Sequence, residues 1–269
     1  MKNYILVISL SISLFSFSTH PKRPNLEFEQ GNYGRGEELE FRLHYGFINA
    51  GRATIKIEKH YHYINEKPCY IIEVFGKTVG SFDFILRIRD TWQTFIDTSE
   101  FIPQKSWRNI EEGKYRLKEE VVYDYNTSKA KVYRKQPDHD IEEKEYKIPT
   151  NVQDMVSGFF MLRRINYKKL SIGDTITIKA FFDKENYNFK VRYMGKGNVH
   201  IDAGKFKALK LVPIMPKNNL FKGEESIKVW ISDDKNKIPL MAEVEMFVGA
   251  VKLELTTYRG LRNEVTVKE

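Results

Sequence analysis

Leu39, Phe41, Leu43 and Tyr45 alternate with Glu38, Glu40, Arg42 and His44, and the same two-residue period returns through most of the chain. Such a period turns one set of side chains to a core and the other to water, which is the pattern of a half-buried antiparallel strand. After a turn at Gly46-Phe47-Ile48-Asn49, the residues Ala53, Ile55 and Ile57 alternate with Thr54, Lys56 and Glu58 and supply the partner strand. Further strands are expected over 69–76, 85–97, 101–109, 115–125 and 129–135. They resume around Ile176, Ile178, Ala180 and Phe182, and continue over 187–200, 205–215, 226–232, 239–247 and 249–258. Strands this long and this numerous predict a mainly β fold: a large antiparallel sheet whose twist curls it into a half-barrel or sandwich-like shape. Hydrophobic residues make up 41% of the 269 residues, enough for a sizeable core, so global disorder is excluded.

One segment departs from the period. Met155, Val156, Phe159, Phe160 and Leu162 are spaced for one face of a helix, predicted over 152–165, with Asn151 or Asp154 as its cap. Gly158 is the weak point of that helix. A single central helix between two β-rich halves allows one continuous sheet or two sheets joined by the helix. A sheet curled around a helix makes an apolar groove, a natural place for an acyl chain or another elongated ligand.

The N-terminus, MKNYILVISLSISLFSFSTHPKRP, carries Lys2 and then an uncharged apolar and hydroxyl run from Tyr4 to Ser18. That run is short for a membrane span, and Ser16-Phe17-Ser18 offers small residues for cleavage before Thr19. The expected organisation is a signal peptide at 1–18, a flexible leader at 19–31, one β-rich domain at 32–260 and a polar tail at 261–269. No second apolar run reaches membrane length. The only cysteine, Cys69, is far from the leader, so attachment of lipid at a mature N-terminal Cys is not expected. The formal charge of +8 falls to +7 without Lys2, and the basic residues are mixed with Glu111, Glu112, Glu119, Glu120, Glu142, Glu143 and Glu145. Nucleic-acid binders concentrate their charge on one element, so that partner is not expected.

Catalytic patterns are sparse. His60 and His62 lie two apart with no third metal ligand nearby, and read as a strand end in His-Tyr-His-Tyr. Ser128-Lys129-Ala130-Lys131 fits S-x-x-K but sits in a polar turn, and there is no G-x-S-x-G. Gly195-Lys196-Gly197 reads as a turn or bulge. Asp233 and Asp234 follow a strand and suit a hairpin turn; two such carboxylates could also bind Ca²⁺, though the calcium loop's spacing and distal Glu are missing, or act as an acid/base pair. Cys69 reads as a buried structural thiol. Phe82, Phe84, Trp92, Trp107, Phe159, Phe160, Phe181, Phe182 and Trp230 are core aromatics or the lining of a lipid or glycan pocket. Arg163 and Arg164 either offset the C-terminal helix dipole or hold an anionic group. No cofactor or metal is implied.

Three stretches taken together resemble a known family: Gly36-Glu37-Glu38-Leu39-Glu40-Phe41-Arg42-Leu43-His44-Tyr45-Gly46 with Ala50-Gly51-Arg52-Ala53; Gln153-Asp154-Met155-Val156-Ser157-Gly158-Phe159-Phe160-Met161-Leu162-Arg163; and Val229-Trp230-Ile231-Ser232-Asp233-Asp234 with Ile238-Pro239-Leu240 and Gly249-Ala250-Val251-Lys252-Leu253. Their order and spacing resemble the DUF3108 family over about 32–258. The resemblance implies an exported bacterial protein and a β-rich domain, and brings no catalytic residues. The expected function is a non-enzymatic protein of the Gram-negative periplasm that binds or carries an apolar or amphiphilic envelope component, with Phe159, Phe160, Arg163 and Trp230 as ligand-binding candidates. Two alternatives stand beside it. One is an envelope glycan or peptidoglycan hydrolase using carboxylates such as Asp90, Asp154, Asp233 or Asp234. The other is an assembly or structural factor without a small ligand.

Overall fold

The computed structural model describes residues 24–214, 223, 225–247 and 249–266, and the expected signal segment lies outside them. The strands are β1 (Glu38–Tyr45), β2 (Ile48–Ile57), β3 (His62–Ile64), β4 (Lys67–Thr78), β5 (Arg89–Asp97), β6 (Pro103–Glu112), β7 (Tyr115–Asp124), β8 (Lys129–Lys135) and β9 (Glu142–Lys147), followed by β10 (Thr175–Phe182), β11 (Glu185–Ile201), β12 (Gly204–Ile214), β13 (Ile227–Ser232), β14 (Pro239–Glu245) and β15 (Ala250–Arg259). Helix α1 (Ser81–Ile85) interrupts the first half and α2 (Met155–Leu162) separates the halves. Helix α2 is the expected central helix; the five-residue α1, with Gly80 as its N-cap, lies between the segments expected as strands 69–76 and 85–97 and overlaps the second only at Ile85.

Each half is an antiparallel meander, and β15 pairs with β1, so the two halves form one sheet running from β10 through β15 and β1 to β9. The sheet curls without closing into a barrel. Edge strand β9 is instead bridged by side chains to the β10–β11 hairpin: Lys184 Nζ in its turn lies 2.6 Å from Glu142 Oε2, and Asn186 Nδ2 of β11 donates to the Lys147 carbonyl at 2.8 Å. Strand β9, Glu-Glu-Lys-Glu-Tyr-Lys, is almost wholly exposed and charged, a composition that discourages pairing with another edge.

Helix α2 fills the curl. Asp154 caps it, accepting from Val156 N and Ser157 N, both at 2.8 Å, while Ser157 Oγ accepts from Asp154 N at 2.9 Å, a complete capping box. Just before the cap, Gln153 pairs with β10 through Gln153 N to Lys179 O and Phe181 N to Gln153 O, both 2.9 Å. The helix is thereby tied to one edge strand at its first turn. Gly158 faces β10, where a Cβ would make an ordinary contact 3.8 Å from Ile178. Phe160 enters one core with Tyr33, Ile57, Ile72 and Ile96, and Leu162 enters another with Ile165, Ile176, Val191 and Leu209. Neighbouring α2 residues thus bind the two halves of the sheet together by apolar burial.

The segment read as a flexible leader is anchored over its described part. Leu26 packs on the core around Leu162, and Asn166 N donates to Glu27 O at 2.9 Å. In the tail, Leu261 and Val265 pack on the core of Leu39 and Phe206, and Asn263 N donates to Asn236 Oδ1 at 2.9 Å. Polar composition hid both contacts, each of which rests on one or two apolar side chains.

Candidate functional site

Strand register builds the site. Leu39, Ile55, Val74, Trp92, Arg108, Glu119, Arg134 and Glu142 are successive cross-strand partners on β1, β2, β4, β5, β6, β7, β8 and β9. Directly opposed residues share a face, so this is one transverse row. Its first half is apolar and its second half is charged.

Over the apolar half, α2 leaves a groove of about 490 Å3 lined by Ile55, Val74, Trp92, Met155, Val156, Phe159, Phe160 and Phe182. The size falls in the range of roughly 300–1,000 Å3 common for small-molecule sites. Every lining residue is apolar. Trp92, Met155, Val156 and Phe182 also line an adjoining narrow cleft of about 30 Å3, which contains Arg108, Glu119, Asp154 and Asp183.

In that cleft Arg108 Nη2 lies 2.8 Å from Glu119 Oε1 and 3.2 Å from Asp183 Oδ1. Its guanidinium carbon lies 5.2 Å from the Trp92 ring centroid and 4.8 Å from that of Phe182, a cation held against two aromatic faces. Arg134 Nε donates to Glu119 Oε2 at 2.7 Å, and its Nη2 contacts Asp183. Burial pushes the Asp183 carboxyl upward, but Arg134 and Arg108 outweigh it and leave its pKa below the ordinary value. Deeper in the cleft, burial raises the pKa of Asp154, against hydrogen bonds from Thr94, Ser157 and Val156 that lower it.

The expected site residues divide. Phe159 and Phe160 line the groove. Arg163 does not: it is 0% exposed, and its Nη1 and Nη2 bind Glu37 at 2.5 and 2.9 Å. Its Nε and Nη2 also donate to the Asn236 carbonyl at 3.1 and 3.0 Å. Trp230 packs on the separate core of Leu39 and Phe206, with Lys210 Nζ 5.5 Å from its ring. Arg164 lies over Phe101, 3.4 Å from the ring centroid.

The carboxylates weighed as catalysts are engaged: Asp233 and Asp234 line one depression, and Asp90 faces Glu112, whose pKa is raised by burial and by that neighbour. Asp90 accepts from Glu111 N at 2.9 Å, and Asp154 caps α2. Asp233 pairs with Lys196 at 2.7 Å. Asp234 holds its turn through Ser232 Oγ at 2.8 Å and Asn236 N at 2.9 Å, in a depression apart from the cleft of Asp154. Cys69 is a free buried thiol pushed up to about 11 by burial. Among the described residues no three His, Cys, Asp or Glu side chains gather to hold a metal, and no helix is long and apolar enough to cross a membrane.

Sequence reading missed Arg108, Glu119, Arg134 and Asp183. A signal was present. Glu119 shares the phase of Leu117, Val121 and Tyr123, and Arg134 that of Ala130 and Val132, so both charges stand where their strands are apolar.

The family model for DUF3108, a protein family of unknown function, matches residues 40–256. The chain belongs to the DUF3108 family. The matched span contains all but two residues of β1, all of β2 to β14, α2 and most of β15, so the groove residues and the charged half of the row lie inside it. Among solved structures, a β-barrel-like protein of the DUF1849 family from Brucella abortus is similar, at 10% identity and a TM-score of 0.53, covering 84% of this chain and 98% of that one. At that identity the likeness is one of fold. A protein from Bacteroides fragilis described as exported and of YmcC-like fold matches at 11% identity and a TM-score of 0.30, covering 87% of this chain and 99% of that one. No curated protein matches the sequence.

Proposed function

We propose that this DUF3108 protein is a non-enzymatic envelope protein that binds an apolar or amphiphilic component in the groove between α2 and strands β2, β4 and β5. The signal-like N-terminus supports export to the periplasm of a Gram-negative bacterium. The observation that carries the reading is the groove itself, about 490 Å3 and lined only by apolar side chains. Burying an alkyl chain there gains about 0.8 kcal/mol per methylene removed from water. A chain of modest length therefore binds without any polar contact. Of the carboxylates weighed for a hydrolase, Asp154 is taken up by the α2 cap and Asp234 by its turn.

The test is displacement of the neutral fluorophore N-phenyl-1-naphthylamine from the protein by dodecanol. The wild type is expected to bind the probe and release it as dodecanol is added. Val74→Trp, which fills the groove from the floor, is expected to weaken both by about tenfold, the effect of losing roughly 1.4 kcal/mol. Probe and alcohol binding unchanged in Val74→Trp, or absent from the wild type, would sink the proposal.

A further inference from the structure

The charged end of the row carries more than the groove requires. Arg108 is only 8% exposed, and its Nε has no hydrogen-bond partner. Buried donors in native proteins are almost always paired, so an unpaired one beside a cleft needs a reason. The same guanidinium lies against Trp92 and Phe182, two residues that also line the apolar groove. One cation thus stands where the apolar surface ends.

The charge balance around it is uneven in kind. Two guanidinium groups, Arg108 and Arg134, face one buried carboxylate, Glu119, which both of them hold. The remaining positive charge is met by Asp183, whose side chain is 53% exposed. Asp183 and Lys184 form the two-residue turn between β10 and β11, and both have positive φ, 49° and 71°. These are the angles of a type I′ hairpin turn, which Asp183 suits and Lys184 does not. Lys184 in turn pairs with Glu142 at 2.6 Å. The neighbouring Asp154 is fully occupied by the α2 cap and Thr94.

We propose that the Arg108–Arg134 pair receives the anionic head, a carboxylate or phosphate, of the chain held in the groove, and that Asp183 is the built-in competitor for that place. The proposal rests on the groove reading above. A guanidinium presents several donors in a plane that matches such oxyanions, and Arg108 Nε adds one that Asp183 does not use. An entering head that replaces Asp183 leaves the charge balance of the cluster unchanged. The cleft, about 30 Å3, has room for little more than a water molecule, so the head enters by taking the place of Asp183 rather than by lying beside it.

The experiment compares dodecanoate, dodecyl phosphate and dodecanol on the full chain by isothermal titration, with inorganic phosphate followed at the Arg Nε–H signals by NMR. The wild type is expected to prefer the two anions over the alcohol by about tenfold, the worth of a charge-assisted hydrogen bond. Asp183→Asn is expected to tighten the anions several-fold and leave dodecanol unchanged. Arg108→Met is expected to bring the anions down to the level of the alcohol. Dodecanoate and dodecyl phosphate compared with each other tell a fatty-acid head from a phospholipid head. If Arg108→Met does not fold, Asp183→Asn, on an exposed turn, still decides. Dodecanol binding with no preference for an anionic head overturns the inference and leaves the groove reading standing. Phosphate shifting the Arg108 Nε–H signal while no chain binds does the reverse. Neither response, or weaker anion binding in Asp183→Asn, overturns the head site.

Discussion

Arg108 and Arg163 are both buried arginines on the inside of one curled sheet, and they are held in opposite ways. Arg163 is enclosed completely. Glu37 takes it with two nitrogens, the Asn236 carbonyl takes two more contacts, and the rings of Tyr33 and Phe160 lie 5.3 and 4.9 Å from its guanidinium carbon. Arg108 has aromatic rings on it as well, but one of its nitrogens is unpaired and one of its carboxylate partners is half exposed. The same side chain serves as a rivet in one place and as an open contact in the other. The difference lies in whether its partners are all fixed parts of the fold.

Stability measurements can break this contrast. Arg163→Met leaves Glu37 charged and buried without its partner, and is expected to cost about 3–5 kcal/mol in urea unfolding. Replacing both, Arg163→Met with Glu37→Met, is expected to recover most of that loss, because the paired charges gain little net energy over an apolar pair. A double variant as unstable as the single one would show that Arg163 acts mainly through the Asn236 carbonyl. Arg108→Met is expected to cost less, about 1–2 kcal/mol, since Glu119 keeps Arg134. A loss as large as that of Arg163→Met would erase the distinction between the two.

Asp183→Asn is expected to fall within about 0.5 kcal/mol of wild type at neutral pH, as for most half-exposed positions. Its signature is in acid. The folded-state pKa of Asp183 is lowered, so its contribution is present above the unfolded value, about 3.9, and disappears as pH falls through the lower folded one. The wild type is therefore expected to lose stability in that window slightly faster than Asp183→Asn. Identical acid limbs for the two proteins would mean that Asp183 is not drawn to the arginines in solution.

How much of this was legible in the sequence follows from the range of each interaction. The strand period and the helix of 155–162 are local, and both were readable. Phe159 and Phe160 stood out as helix aromatics that could be core or pocket lining, and the groove they border exists only once α2 sits on β2, β4 and β5. Arg163 was visible at the helix end, but its partner Glu37 lies 126 residues earlier, and only the fold brings the two together. Trp230 stood out as an aromatic in a strand, yet which core a strand residue joins depends on how the whole sheet curls. The charged half of the row needed the register of four strands, β6 to β9. The one local trace of it is that Glu119 and Arg134 interrupt the apolar phase of their strands.

The central claim is that a chain lies in the groove beneath α2, and photocrosslinking tests it most directly. A dodecanol analogue carrying a diazirine near the chain end, irradiated with the full protein and mapped by peptide mass spectrometry, is expected to label the segments containing Trp92 and Met155–Phe160. Val74→Trp is expected to cut that labelling by about tenfold at subsaturating analogue, in line with its weaker binding. Labels confined to other surfaces, or unchanged in Val74→Trp, would contradict the account.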